Sequence, residues 1–277
     1  MKLFLRSYGP GPDYAAESSR PAPRAAAAPL VILHGLFGSG ANWQTAAKEL
    51  SNDRVVLTPD LRNHGRSPWA DEAGFEPMTE DLAELQRELS PGTGSRPIAV
   101  MGHSLGGKIA MLFALEHPEA VERLVVVDIA PRGYPPYHER IIAGLGSIRP
   151  ETISSRAEAD RLLAEYVPDA AERAFLLTNL TRADEGGYAW RFNFRALEAA
   201  YRELSGWPDR PYRPFGKPTL FVRGGNSPYI GSDDEEPIRG LFPAARIETV
   251  PGAAHWVHAD NPARFLALVR PFLRGAN

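Results

Sequence analysis

The sequence predicts an α/β domain with a mostly parallel central sheet, helices on both faces and one inserted helical cap. Three observations lead there. From residue 30 to residue 128, short apolar runs alternate with helical patterns. That alternation marks strands buried on both faces and joined by helical crossovers. After Asp128 the rhythm gives way to helical patterns without a convincing strand over 131–214, and it resumes from residue 219. The core is therefore expected over 1–130 and 215–277, with 131–214 as the cap.

Taken in order, M-K-L-F-L-R-S reads as a first strand, not a secretory leader, because Arg6 breaks its short apolar core. Segment 10–29, rich in Pro, Ala, Ser and Arg, reads as an irregular loop. L-V-I-L (30–33) is a buried strand, Asn42 to Leu50 a helix, and R-V-V-L-T (54–58) a strand. Met78, Leu82, Leu85 and Leu89 recur at helical spacing. P-I-A-V-M (97–101) is a strand, and the helix from Leu105 to His117 is stopped by Pro118. R-L-V-V-V-D (123–128) is the next strand. R-A-E-A-D-R-L-L-A-E-Y and R-A-L-E-A-A-Y-R-E-L are the clearest cap helices. T-L-F-V-R (219–223), a short helix near Pro237–Phe242, R-I-E-T-V (246–250) and a helix from Pro262 to Leu273 complete the core. Asp260 or Asn261 can cap that last helix, with Pro at its first position.

The chain has 277 residues, 43% of them hydrophobic, enough for a sizeable core. A net charge of -3 makes no electrostatic case for nucleic acid or an anionic membrane surface as partner. The absence of cysteine excludes disulfides, thiolate metal sites and a Cys nucleophile. No apolar run approaches the ~20 residues of a membrane span, and a cytoplasmic location is the default expectation. No His, Asp or Glu cluster has metal-ligand spacing, and no G-x-G-x-x-G follows a strand, so no metal and no cofactor are expected. Oligomeric state is not legible.

G-H-S-L-G (102–106) fits G-x-S-x-G between a predicted strand and a predicted helix. That is the context of a nucleophile elbow, whose sharp turn lifts the Ser104 hydroxyl out of the sheet. Gly102 and Gly106 leave room for the turn, and the following helix N-terminus offers N–H groups to developing negative charge. H-G-L-F-G (34–38) follows the strand 30–33 as a second close-approach loop.

D-L-R-N-H-G-R-S (60–67), M-G-H-S-L-G-G-K (101–108), V-V-D-I-A-P (126–131) and G-G-N-S-P-Y-I (224–230) together resemble the α/β-hydrolases, and within them the YbfF-type carboxylesterases. The resemblance covers nearly the whole chain after residue 28. It implies an oxyanion hole built from the backbone N–H groups of Leu36 and Leu105. It also implies the chain order Ser, acid, His, which leaves only His255 and His258 of the seven histidines as base. His255, first after the last strand, matches the family's position. In many α/β-hydrolases the acid follows the next-to-last strand, but here Ser227 fills that slot. Asp128, at the end of the preceding strand, is the expected acid, as in YbfF-type enzymes. Ser227 can then support the Asp–His pair. Asp233 and Asp234 are the alternatives, in an acidic run better suited to a solvated surface.

The resemblance implies a serine carboxylesterase acting on a small-molecule ester of short to medium acyl length, or on a thioester. A carbon–carbon bond hydrolase with the same triad and a ligand receptor with a vestigial triad are the rivals. Trp190, Phe192 and Phe194 alternate with polar residues on the cap. They can line a substrate pocket or pack cap against core. Asp60, Arg62, Asn63 and His64 read as a hydrogen-bonded turn at the site's rim.

Overall fold

The computed structural model describes residues 1–9, 27–89, 96–184 and 186–275. Residues 10–26, most of the predicted loop, lie outside the described residues.

Seven strands form the central sheet: β1 (Leu5–Tyr8), β2 (Leu30–Leu33), β3 (Val56–Pro59), β4 (Ile98–His103), β5 (Val121–Val127), β8 (Thr219–Gly224) and β9 (Ala245–Val250), in the order β1-β3-β2-β4-β5-β8-β9. Strand β1 runs antiparallel to β3, and every other neighbouring pair is parallel. Strand β4 is therefore central, and the chain doubles back on either side of it. The antiparallel edge strand needs no crossover, which fits the N-terminal run standing alone before the first βα unit.

Side chains alternate across a strand, so each apolar run feeds two cores. Val31, Leu33, Val100, Val126 and Phe221 pack into one layer with α2 (Phe75–Glu88), α3 (Leu105–Glu116) and α8 (Glu235–Leu241). Leu30, Ile32, Met101, Val125 and Val127 pack into the other with α1 (Gln44–Leu50) and α10 (Pro262–Leu273). Helix α3 is buried from Leu105 through Leu115, which is why its sequence is apolar all round. Helix α10 starts where the sequence places it: Asn261 Oδ1 accepts the Arg264 N–H at 3.1 Å, and Pro262 takes the first position.

Between β5 and β8 stand α4 (Glu139–Ser147), α5 (Arg156–Ala164), α6 (Ala170–Leu177) and α7 (Phe194–Ser205). The expectation of no strand in this segment is corrected here. Strands β6 (Leu180–Arg182) and β7 (Tyr188–Trp190) form an antiparallel hairpin. Three-residue strands are too short to display alternation. The turn was the usable signal: Gly186 and Gly187 take φ values of 94° and 74°, a region glycine enters without a Cβ clash.

Candidate active site

The parallel strands deliver four polar candidates to one edge. Ser104 follows β4, Asp128 follows β5, Ser227 lies beyond β8 and His255 beyond β9. This is the carboxyl edge, where open α/β sheets bind ligands.

Ser104 has φ 53° and ψ −119°, a conformation few side chains tolerate. Its N–H donates to the Val127 carbonyl at 3.1 Å, tying the turn to β5. The glycines are sterically required. A Cβ on Gly102 would lie 2.1 Å from the Gly106 carbonyl oxygen, and one on Gly106 would lie 2.5 Å from the Leu33 carbonyl oxygen. The hydroxyl-bearing residue is thus forced into its position by the close contact of β2, β4 and α3.

The structure brings His255 and Asp128 together. His255 Nδ1 donates to Asp128 Oδ2 at 2.8 Å. That bond leaves Nε2 of the neutral ring as a free lone pair. Asp128 is fully buried, and a buried carboxylate needs donors. It has two more: the Gly224 N–H at 2.9 Å on Oδ1 and the Ser227 hydroxyl at 2.5 Å on Oδ2. Ser227 therefore sits against Asp128, which is itself bonded to His255. Tyr229 stacks on the His255 ring at 4.0 Å between centroids. The alternative acids are engaged elsewhere. Asp234 pairs with Arg132 at 2.5 Å and accepts the Gly231 N–H at 2.8 Å, and Asp233 accepts from Ser232 at the surface.

The loop after β2 carries Leu36, and Leu105 opens α3. Among the described residues, neither the Leu36 nor the Leu105 N–H has an acceptor in the protein. Two free donors remain at the edge where Ser104 stands. The loop is held from below by two histidines. His34 Nε2 accepts the Leu61 N–H at 2.9 Å while its Nδ1 donates to the Gly35 carbonyl at 2.8 Å. His64 Nε2 accepts the Phe37 N–H at 3.2 Å while its Nδ1 donates to the Arg62 carbonyl at 2.9 Å. Both rings must be neutral to accept, and burial lowers the pKa of each, that of His64 to about 3. From the segment between β5 and β8, Asn179 Nδ2 donates to the Phe37 carbonyl at 2.7 Å. The 60–64 turn is hydrogen-bonded as the sequence suggests, with Arg62 bidentate on Asp81 at 2.6 and 2.8 Å.

Two pockets meet at Ser104. A broad one of about 210 Å³ is lined by His255, Trp256, His258, Phe175, Ile141 and Glu172, among others. A narrow one of about 40 Å³ is lined by Leu105, Ile129, Tyr134, Tyr201 and Leu204, among others. Trp190, Phe192 and Phe194 line neither. Phe192 is buried between Phe37 and Trp190, with ring centroids 5.0 and 5.1 Å away. Phe194 lies against Gly146. His258 stacks on Trp43 at 3.9 Å, and His103 donates from Nε2 to the His255 carbonyl at 2.9 Å. Among the described residues, no group of three or more His, Asp or Glu side chains is placed to hold a metal ion.

Sequence reasoning passed over Lys108, although it stands inside M-G-H-S-L-G-G-K. Its ammonium is buried and donates to the carbonyls of Leu204, Ser205 and Gly206 at 3.2, 2.8 and 2.5 Å. Helix α3 thereby caps the last turn of α7. Burial, then the Arg132 charge, pushes its pKa down to about 7. Three carbonyls nevertheless need three donors, which only the charged form has. A lone Lys in an otherwise apolar helix was the signal. Lys108→Met is expected to lower stability by about 1–3 kcal/mol, because buried carbonyls lose their donor. Urea unfolding reads this, and an unchanged midpoint contradicts the anchoring role.

Comparison with known proteins agrees with the geometry. The chain is 43% identical over 252 residues to a Mus musculus protein named sn-1-specific diacylglycerol lipase ABHD11, covering 88% of this chain and 80% of that one. It is 32% identical over 248 residues to Esterase YbfF of Escherichia coli (strain K12), covering 88% and 92%. Among solved structures, one described as a marine microorganism esterase superposes with a TM-score of 0.88 at 37% identity, covering 98% and 99%. The esterase and lipase names of these relatives support ester hydrolysis. Residues 30–268 match the model of the Alpha/beta hydrolase family, and the chain belongs to that family.

Proposed function

We propose that the protein is a serine carboxylesterase acting on short- to medium-chain acyl esters through a Ser104–His255–Asp128 triad. One observation carries the reading. A serine in a strained elbow shares a cavity with a histidine whose other nitrogen is tied to a buried carboxylate. Ser104 Oγ attacks the ester carbonyl as His255 Nε2 takes its proton. The oxyanion is held by the free N–H groups of Leu36 and Leu105, aimed by a loop that His34, His64 and Asn179 hold rigid. The tetrahedral intermediate collapses, and the alcohol leaves with the proton from His255. A water, deprotonated by His255, then cleaves the acyl-enzyme and releases the acid. Thioesters undergo the same chemistry. The 131–214 segment acts as a cap, since Ile141, Phe175 and Leu176 supply walls of the broad pocket.

The test is hydrolysis of p-nitrophenyl butyrate together with labelling by a fluorophosphonate. Turnover is expected, with one adduct per chain on the peptide that contains Ser104 by mass spectrometry. Turnover without an adduct, or an adduct at another serine, contradicts the assignment. Absence of turnover removes the esterase reading.

A further inference from the structure

The two pockets at Ser104 differ in which catalytic groups they contain, and that difference orients the substrate. Both share Leu36, Ser104, His138 and Tyr229. His255 lines only the broad pocket, and Leu105 only the narrow one. His255 must return its proton to the leaving oxygen, so the alcohol lies on the His255 side. The acyl chain then points the other way, past Leu105.

The linings agree with that division. In the narrow pocket, four polar heads, those of Tyr134, Tyr201, Ser205 and Lys108, are engaged by protein, and Tyr137 is exposed. The Tyr134 hydroxyl accepts the Ala130 N–H at 2.8 Å and donates to the Tyr229 carbonyl at 2.6 Å. The Tyr201 hydroxyl accepts the His138 N–H at 2.8 Å, and the Ser205 hydroxyl donates to the Tyr201 carbonyl at 2.9 Å. The Lys108 ammonium is spent on three carbonyls. What remains for a ligand is mainly hydrocarbon from Leu36, Leu105, Ile129, Pro135 and Leu204. Asn42, Glu172 and His258 line the broad pocket and not the narrow one. A buried side-chain nitrogen there, His258 Nδ1, has no partner.

Size completes the argument. A cavity of about 40 Å³ holds about three groups the size of a water or a methylene. The broad pocket, at about 210 Å³, holds several times as many.

Resting on the carboxylesterase reading, we propose that this enzyme binds its ester in one orientation: a short acyl chain of about two to four carbons in the narrow pocket, and a much larger alcohol in the broad one. Natural substrates are therefore short-acyl esters of bulky alcohols, not long-chain fatty acyl esters of small ones.

Two isomeric esters test this directly. Octyl acetate and ethyl octanoate are isomers that both release a primary alcohol of similar basicity, but the long chain is on opposite sides of the carbonyl. Acid release is followed by titration for both, with p-nitrophenyl butyrate as reference. Octyl acetate is expected to have at least about tenfold the kcat/KM of ethyl octanoate, since each methylene that finds a pocket is worth about fourfold. In Leu204→Ala, which shortens a wall of the narrow pocket, the ratio of ethyl octanoate to octyl acetate is expected to rise about tenfold. An equal or reversed preference in an enzyme active on p-nitrophenyl butyrate overturns the orientation and leaves the esterase reading standing. Inactivity on all three esters overturns both.

Discussion

Asp128→Asn is expected to lower kcat/KM for p-nitrophenyl butyrate by roughly 10³–10⁴, the cost of an amide in place of a triad acid. The structure says why the loss is chemical and not a failure to fold. Asp128 has φ 52°, a left-handed conformation that Asn accepts as readily as Asp. The amide oxygen can keep the Gly224 N–H that Oδ1 now accepts at 2.9 Å. The amide nitrogen then faces His255 Nδ1, now 2.8 Å from Oδ2. Two donors cannot share that contact, so the ring turns its Nδ1 into an acceptor and its Nε2 into an N–H. The lone pair that should receive the Ser104 proton is gone. Ser227→Ala removes one of three donors on Asp128 and keeps the charge, so a loss of no more than about tenfold is expected, a single charge-assisted hydrogen bond. The pair of variants separates the two residues in the sequence puzzle: on the proposed triad, the usual acid slot holds a supporting hydroxyl, and the charge comes from the earlier strand. An Asp128→Asn enzyme that keeps most of its activity, while its circular dichroism is unchanged, would falsify the triad as drawn.

That puzzle also measures what the sequence makes legible. Strands β2, β4 and β5 are fully or nearly apolar runs because helices cover both faces of the sheet, so composition alone reveals them. The elbow is legible because two glycines are needed where atoms would otherwise lie 2.1–2.5 Å apart. Asp128 needed the resemblance as well, since an Asp at a strand end has bland structural uses. The pocket walls were hidden for a different reason. Ile141 on α4, Glu172 and Phe175 on α6, and Tyr229 beyond β8 come from three separate segments, and no period in the chain links the three. Trp190 and Phe192 drew attention as an aromatic alternation, and they stack on each other instead. The hairpin that carries Trp190 was missed because its strands are three residues each.

Falling pH is expected to unfold this protein steeply, with buried and half-buried histidines as the cause. Burial, followed by neighbouring positive charge, lowers the pKa of His64 to about 3, of His258 to about 3 and of His138 to about 4. His34 and His103 are shifted the same way, chiefly by burial. The unfolded chain takes up these protons near pH 6.5, while the folded chain refuses them. Between those values the unfolded state binds more protons, so stability rises with pH and is lost as pH falls from 6.5 toward 3. Each such histidine contributes a slope of about 1.4 kcal/mol per pH unit, and His64, His138 and His258 together give about 4. The two units from pH 6 to pH 4 then remove about 8 kcal/mol, a large share of the 5–15 kcal/mol that a domain usually holds at neutrality. Urea midpoints measured by circular dichroism from pH 7 to pH 4 read the slope. His64→Gln keeps an acceptor for the Phe37 N–H and a donor for the Arg62 carbonyl but cannot titrate. Its slope is expected to be shallower by about 1.4 kcal/mol per unit, and an unchanged slope removes His64 from the account. The same neutral ring that makes the fold acid-sensitive is what lets His64 accept from the loop bearing Leu36. On this prediction, the ring that holds the proposed oxyanion loop is also one that makes the fold sensitive to acid.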